Sequence, residues 1–249
     1  MNARLETRGL RKSFGALTVA DDINLRLEAG ARHALIGPNG AGKTSLVNML
    51  TGNLRPSAGS ILLEGEDVTR LAPEARVKRG LGRTFQISSL FAELSLLDNV
   101  ALGVAERHGL GGRMWRRAGT YREVRDEAME VLASLELGSD AMRPVRELPY
   151  GKQRLAEIAI ALGLRPKVLL LDEPAAGVPS HESQRILDLL GALPLDVAIL
   201  IIEHDMSIVF RFARRITVLV RGQVLCEGTP EDIAGEPRVH ELYLGDADG

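Results

Sequence analysis

Apolar and polar positions follow two rhythms along this chain. Ile23, Leu25 and Leu27 alternate with Asn24, Arg26 and Glu28, which predicts a half-buried strand ending at Gly30. Ile61 to Val68, turning at Glu64-Gly65-Glu66, predicts a hairpin, and these early elements predict an antiparallel layer. Val168–Leu171 and Val197–Ile202 are short and wholly apolar, the pattern of parallel strands buried on both faces, and Arg32–Ile36 reads as a short buried strand. Between them the period lengthens. Val124, Ala128, Val131, Leu132 and Leu135 line one face of a helix stopped by Gly138, and Leu155, Ile158, Ala159 and Leu162 stripe a second helix over residues 151–162. Strands and helices then alternate to about Val220, where Arg221-Gly222-Gln223 predicts a turn between two late strands.

Chemistry enters at Gly37-Pro38-Asn39-Gly40-Ala41-Gly42-Lys43-Thr44, which fits the phosphate-binding loop G-x-x-x-x-G-K-[ST] at every fixed position. A predicted strand precedes it and a predicted helix, residues 44–50, follows. Glycines there let backbone N–H groups of Asn39, Gly40, Ala41 and Gly42 turn toward phosphate oxygens. Lys43 reaches the β- and γ-phosphates, the Thr44 hydroxyl can ligate Mg²⁺, and Ser45 lies in the first helical turn, where the helix dipole favours anions. A glycine-rich surface turn is the bland alternative.

The run Val168–Leu171 ends in Asp172-Glu173, carboxylates emerging where open α/β sheets bind ligands. Neighbours on an extended strand point to opposite sides, so different roles are expected: Asp172 on Mg²⁺ through water, Glu173 polarising the attacking water. A strand followed by acids that cap a helix is the bland alternative.

Composition narrows the class. With 249 residues the chain can form one large α/β core with a smaller inserted subdomain. A net charge of −2 gives no nucleic-acid footprint, and the one cysteine, Cys226, precludes an internal disulfide. No apolar run reaches the length of a membrane span, and the N-terminus lacks the apolar segment of a signal peptide. Work at a membrane would require docking on partners that cross it.

Further motifs complete a set. Leu148-Pro149-Tyr150-Gly151-Lys152-Gln153-Arg154 precedes the Asp-Glu strand, Gln86 closes Gly82-Arg83-Thr84-Phe85-Gln86, His204 follows the apolar strand ending at Ile202, and Phe14 lies upstream of the phosphate loop. In this order the chain resembles, over nearly its full length, the ATP-binding subunits of ABC transporters. The resemblance implies an α/β fold with a P-loop (RecA-like), mainly parallel sheet core, an N-terminal antiparallel β layer and an inserted α-helical subdomain. Residues 1–249 would be one ABC ATPase domain, with 1–86 and 154–249 as nucleotide-binding core and 87–153 as helical subdomain ending in the signature motif.

The resemblance also assigns roles. Phe14 would stack on adenine, Gln86 would link the Mg²⁺ site to the helical lobe, and His204 would orient the γ-phosphate and water. Pro149, Tyr150, Gly151 and Lys152 would face ATP held by a second, identical or homologous, ATPase subunit. The implied cofactors are ATP and Mg²⁺. The implied partners are that second subunit, transmembrane permease subunits and, indirectly, a solute-binding protein, with no nucleic acid. The implied location is peripheral, on the cytoplasmic face of the inner (plasma) membrane.

Two motifs depart from the family pattern. Pro149 replaces the usual signature serine and Lys152 the usual glutamine, while Pro179, in Ala175-Ala176-Gly177-Val178-Pro179, stands where an aspartate is common. Both changes touch the half-site this chain offers its partner, so a dimer with a different subunit is expected to have one weaker composite site. The motif combination, with Ile202-Glu203-His204-Asp205-Met206 and the ending Tyr243-Leu244-Gly245, looks like branched-chain amino-acid importers. Related importers of urea, amides or aromatic acids, and the ATPase of lipopolysaccharide export, are the alternatives. A repair or translation ATPase would predict coiled-coil insertions or a second cassette, and a GTPase or small-molecule kinase leaves the signature unexplained. Arg113, Arg116 and Arg117 around Trp115 read as solvated loop or as a contact with lipid headgroups or the permease.

Overall fold

Two sheets of different character share the strands. The computed structural model describes residues 3–84, 90–110 and 118–244. Gln86, the start of the helical segment at Ile87, the Arg113–Arg117 stretch with Trp115, and Gly245 lie outside them. The antiparallel layer contains β1 (Leu5–Phe14), β2 (Leu17–Ile23), β3 (Arg26–Leu27), β5 (Ala58–Leu63) and β6 (Glu66–Asp67), in the order β2-β1-β5-β6 with β3 also paired to β1. The second sheet runs β11-β10-β4-β9-β8-β7, built from β4 (Arg32–Ile36), β7 (Leu81–Arg83), β8 (Val168–Asp172), β9 (Ala198–Ile202), β10 (Arg215–Val220) and β11 (Gln223–Gly228). Every pairing within it is parallel except the β10–β11 hairpin, which turns at Arg221-Gly222 as expected.

The apolar runs are explained by burial on both faces. On β4, β8 and β9, Ala34, Ile36, Leu169, Leu171, Ile199 and Ile201 point into one core. Leu35, Leu170, Leu200 and Ile202, one residue out of phase, point into the other. The first core is closed by α3 (Leu96–Arg107), α4 (Ala118–Ser134), α5 (Tyr150–Gly163), α6 (Ser180–Ala192) and α7 (Met206–Phe212). The second is closed by the antiparallel layer and by α1 (Lys43–Thr51). Short helices α2 (Pro73–Val77), α8 (Pro230–Ala234) and α9 (Pro237–Leu244) finish the description. Among the described residues no helix is long and apolar enough to cross a membrane.

Two boundaries differ from expectation. The strand expected through Glu28 is broken after Ile23: the buried Thr7 hydroxyl donates to Ile23 O at 2.9 Å and accepts from Leu25 N at 2.8 Å, replacing ladder bonds. Residues 23, 25 and 27 nonetheless stay buried, so the pattern reported burial correctly and continuity wrongly. Strand β7 is too short for its alternation to be read. Helix α5 starts at Tyr150, one residue before the start expected at 151.

Arg76 anchors the far end of α1. It is 1% exposed, and its guanidinium donates to Met49 O (2.6 Å), Leu50 O (2.7 Å), Thr69 O (2.9 Å) and Leu71 O (3.1 Å). A cation at a helix C-terminus complements the unpaired carbonyls there. Arg76→Met is expected to destabilise the fold by about 3 kcal/mol, because buried carbonyls lose a charged donor. The check is urea unfolding, with a lower midpoint at unchanged slope. An unchanged midpoint would remove Arg76 from this role.

Candidate functional site

The phosphate loop spans the carboxyl end of β4 and the start of α1. Gly42 is the N-cap of α1 at φ +104°, and a Cβ there would lie 2.4 Å from Val19 O, so only glycine fits. No side chain caps α1, which leaves its first-turn N–H groups available to an anion, and Thr44 is exposed beside them. The Lys43 ammonium curls over the loop, donating to Gly37 O (2.6 Å) and Pro38 O (3.0 Å). Burial pushes its pKa down, and the carboxylates of Glu173 and Asp172 pull it back up. Uncapped N–H groups, an ammonium and a hydroxyl form a donor set suited to a polyphosphate.

Asp172 and Glu173 diverge for a reason the sequence did not reveal. Strand β8 ends at Asp172, and Glu173 takes a left-handed conformation at φ +46°, held by its N–H on Ile202 O at 3.0 Å. A local turn, not strand alternation, separates the two carboxylates. Such a conformation in a residue with a Cβ costs about 1–2 kcal/mol. Burial raises the Asp172 pKa, opposed by Arg83 and reinforced by Glu173. Arg83 lies 3.4 Å from Asp172 Oδ2 and donates to Asn48 Oδ1 at 3.0 Å, tying β7 to β8 and α1. Asp172 and Thr44 carry oxygen atoms of the hard kind that suits Mg²⁺.

His204 follows β9, and its Nδ1 lies 3.2 Å from Glu173 Oε1. The structure therefore brings Lys43, Thr44, Asp172, Glu173 and His204 to the carboxyl ends of adjacent strands β4, β8 and β9. Asn39 and Gly40 are exposed at the loop's tip, Ala41 is buried behind it, and Ser45 is half-buried in the first turn of α1. Phe14 ends β1 with 52% of its surface exposed and the Lys12 ammonium 4.8 Å from its ring centre. It is not a core residue, which suits stacking on a base.

The signature residues open a different helix. Pro149 is the N-cap of α5, and Pro179 holds the same position on α6. Neither supplies a capping hydrogen bond, so the N–H groups opening α5 remain available. Tyr150 is half exposed, with the Arg154 guanidinium 5.2 Å from its ring centre. Gly151 is buried beneath Glu182: a Cβ there would lie 2.2 Å from Glu182 Oε2. The Lys152 ammonium is 2.5 Å from Asp140 Oδ2, and Arg143 pairs with the other oxygen at 2.9 Å. Those two cations, Lys152 first, hold the buried Asp140 carboxyl below its usual range.

Sequence reading overlooked Arg83, Asn48, Asp140 and Glu203. Only Glu203 left a readable signal, as a carboxylate prolonging the apolar run of β9. Its side chain is 2% exposed, and burial pushes its pKa up to about 7.

Comparison with known proteins agrees with this geometry. A family model described as ABC transporter matches residues 20–176, and one described as branched-chain amino acid ATP-binding cassette transporter matches residues 223–249. The high-affinity branched-chain amino acid transport ATP-binding protein BraF of Pseudomonas aeruginosa is 38% identical, and LivG of Escherichia coli K12 is 36% identical. Each alignment covers 98% of both chains. A solved ATP-binding cassette of an ABC transporter in its ADP conformation is 30% identical with a TM-score of 0.85, over 98% of this chain and 99% of that one. A P-loop facing a Glu–His pair, on this fold and with these relatives, means that the chain belongs to the ATP-binding proteins of ABC transporters, ATPases coupled to transport.

Proposed function

We propose that this chain binds and hydrolyses ATP to power import of branched-chain amino acids. The observation that carries the reading is full-length similarity, at 36–38% identity, to ATP-binding proteins named for that transport. The match of residues 223–249 to a branched-chain amino acid cassette family supports it independently of the nucleotide motifs. The working unit is a pair of ATPase subunits on permease subunits at the cytoplasmic face of the plasma membrane, served by a solute-binding protein.

Within that unit the loop N–H groups and Lys43 hold the β- and γ-phosphates, and Phe14 stacks on adenine. Thr44, Asp172 and Gln86 would hold Mg²⁺, which when bound neutralises charge on the phosphates. Glu173 polarises the water that attacks the γ-phosphate, and His204 orients both. The N-terminus of α5, with Pro149, Tyr150, Gly151 and Lys152, meets the γ-phosphate of ATP on the partner, so nucleotide joins the two subunits and hydrolysis releases them. Without a signature hydroxyl at Pro149, that contact rests on the helix N–H groups and dipole.

Labelled leucine uptake in cells lacking the chain tests this reading. Wild type is expected to restore uptake and Glu173→Gln is not. Normal leucine uptake without the chain would overturn the solute assignment, and a panel of urea, amides and aromatic acids would then identify the cargo.

A further inference from the structure

Glu203 is a buried carboxylate beside the hydrolytic pair that the roles above leave unused. It follows β9 directly, and its N–H donates to Leu35 O on β4 at 3.3 Å. One carboxylate oxygen, Oε2, accepts the His204 backbone N–H at 3.2 Å and lies 4.0 Å from His204 Nδ1. The other, Oε1, is buried and has no hydrogen-bond partner. A buried carboxylate with an idle oxygen is costly, and this one persists next to a histidine whose side chain is 66% exposed.

The imidazole has two carboxylates within reach. Glu173 Oε1 is at 3.2 Å from Nδ1 and Glu203 Oε2 at 4.0 Å. A carboxylate can only accept, so the short contact puts the proton on Nδ1. While that N–H is committed to Glu173, a lone pair wanted for the attacking water is occupied. We propose that Glu203 is a positioning residue: it is the alternative acceptor for His204 Nδ1–H, and by drawing the imidazole off Glu173 it frees that carboxylate to polarise water. No covalent bond changes and the proton stays on Nδ1 throughout. The inference rests on Glu173 and His204 acting in hydrolysis as proposed above.

The charged groups around Glu203 come from several elements. Glu173, on the turn after β8, repels it. His204 attracts it, and the backbone N–H groups of His204 and Asp205 both stabilise its charge. A cleft of about 500 Å³ opens beside it between α6 and α7, lined by Ala175, Gly177, Ser183, Asp205 and Arg211. Arg211 is already held by Asp188 at 2.9 Å and Asp205 by Ser207 at 2.8 Å. With its pKa near 7, set by burial, Glu203 loses its attraction for the imidazole as pH falls through neutrality.

Glu203→Gln separates this role from a structural one, because the amide oxygen still accepts the His204 backbone N–H while the charge is lost. In the full-length protein, kcat for ATP hydrolysis is expected to fall about tenfold, the scale of one hydrogen bond to a charged group, with KM for ATP unchanged. The wild-type fall in kcat as pH drops through 7 should flatten in the variant. A second readout needs no turnover: the ¹⁵N signal of His204 Nδ1, assigned by its loss in His204→Gln, should shift on adding the non-hydrolysable analogue AMP-PNP to wild type and not to Glu203→Gln. Wild-type kcat and pH profile in Glu203→Gln, or the same Nδ1 shift in both proteins, overturns the proposal. Glu173→Gln runs alongside. If that variant hydrolyses ATP within tenfold of the wild-type rate, the reading of Glu173 fails; if only Glu203→Gln behaves as wild type, this inference alone fails.

Discussion

Glu173→Gln is expected to slow ATP hydrolysis by about 10²- to 10⁴-fold while leaving ATP affinity within a factor of about three, the scale of general-base catalysis. Glutamine keeps the shape and can still accept from His204 Nδ1, now 3.2 Å from the Glu173 carboxylate. What it loses is the negative charge that polarises water. Folding should survive, because the backbone turn at φ +46° is held by the main-chain bond to Ile202 O rather than by the carboxylate. Single-turnover phosphate release gives the rate, and a fluorescent ATP analogue gives the affinity. Hydrolysis within tenfold of wild type would move the base elsewhere, with His204 the nearest candidate.

Lys43→Met is expected to act on the other constant. Removing the ammonium deletes charge-assisted hydrogen bonds to two phosphates, and ATP affinity should weaken about 100-fold. The loss is smaller than the phosphate contacts alone would give. Before nucleotide arrives, Lys43 already donates to Gly37 O and Pro38 O, and it must release them to reach phosphate. The same bonds make a second expectation: the nucleotide-free variant should unfold at slightly lower urea, because two loop carbonyls lose their donor. Equilibrium binding of the fluorescent analogue checks the first. An affinity within threefold of wild type would show that the loop N–H groups carry the phosphate without the lysine. Together the two variants separate binding from chemistry, since one acts on affinity and the other on rate.

The sequence alone determined the elements and the motif residues. Its unbroken apolar runs located β8 and β9, because strands buried on both faces need apolar residues at every position, and its period near 3.6 located α4 and α5, because burial on one helix face repeats at fixed spacing. The phosphate loop was legible because its function needs glycine conformations and a lysine at set offsets in one continuous stretch. Tertiary structure decided whatever depends on residues distant in the chain. Thr7 breaking the strand at Ile23, Arg76 closing α1, Arg83 reaching Asp172, and Asp140 holding Lys152 are side-chain contacts with no sequence spacing to betray them. Glu203 divides between the two, its place after the apolar run of β9 being legible and its surroundings not. Beside His204 in the sequence it reads as one more acidic residue, and only the parallel alignment of β4, β9 and β8 buries it, leaves an oxygen without a partner, and sets it within reach of the same imidazole as Glu173.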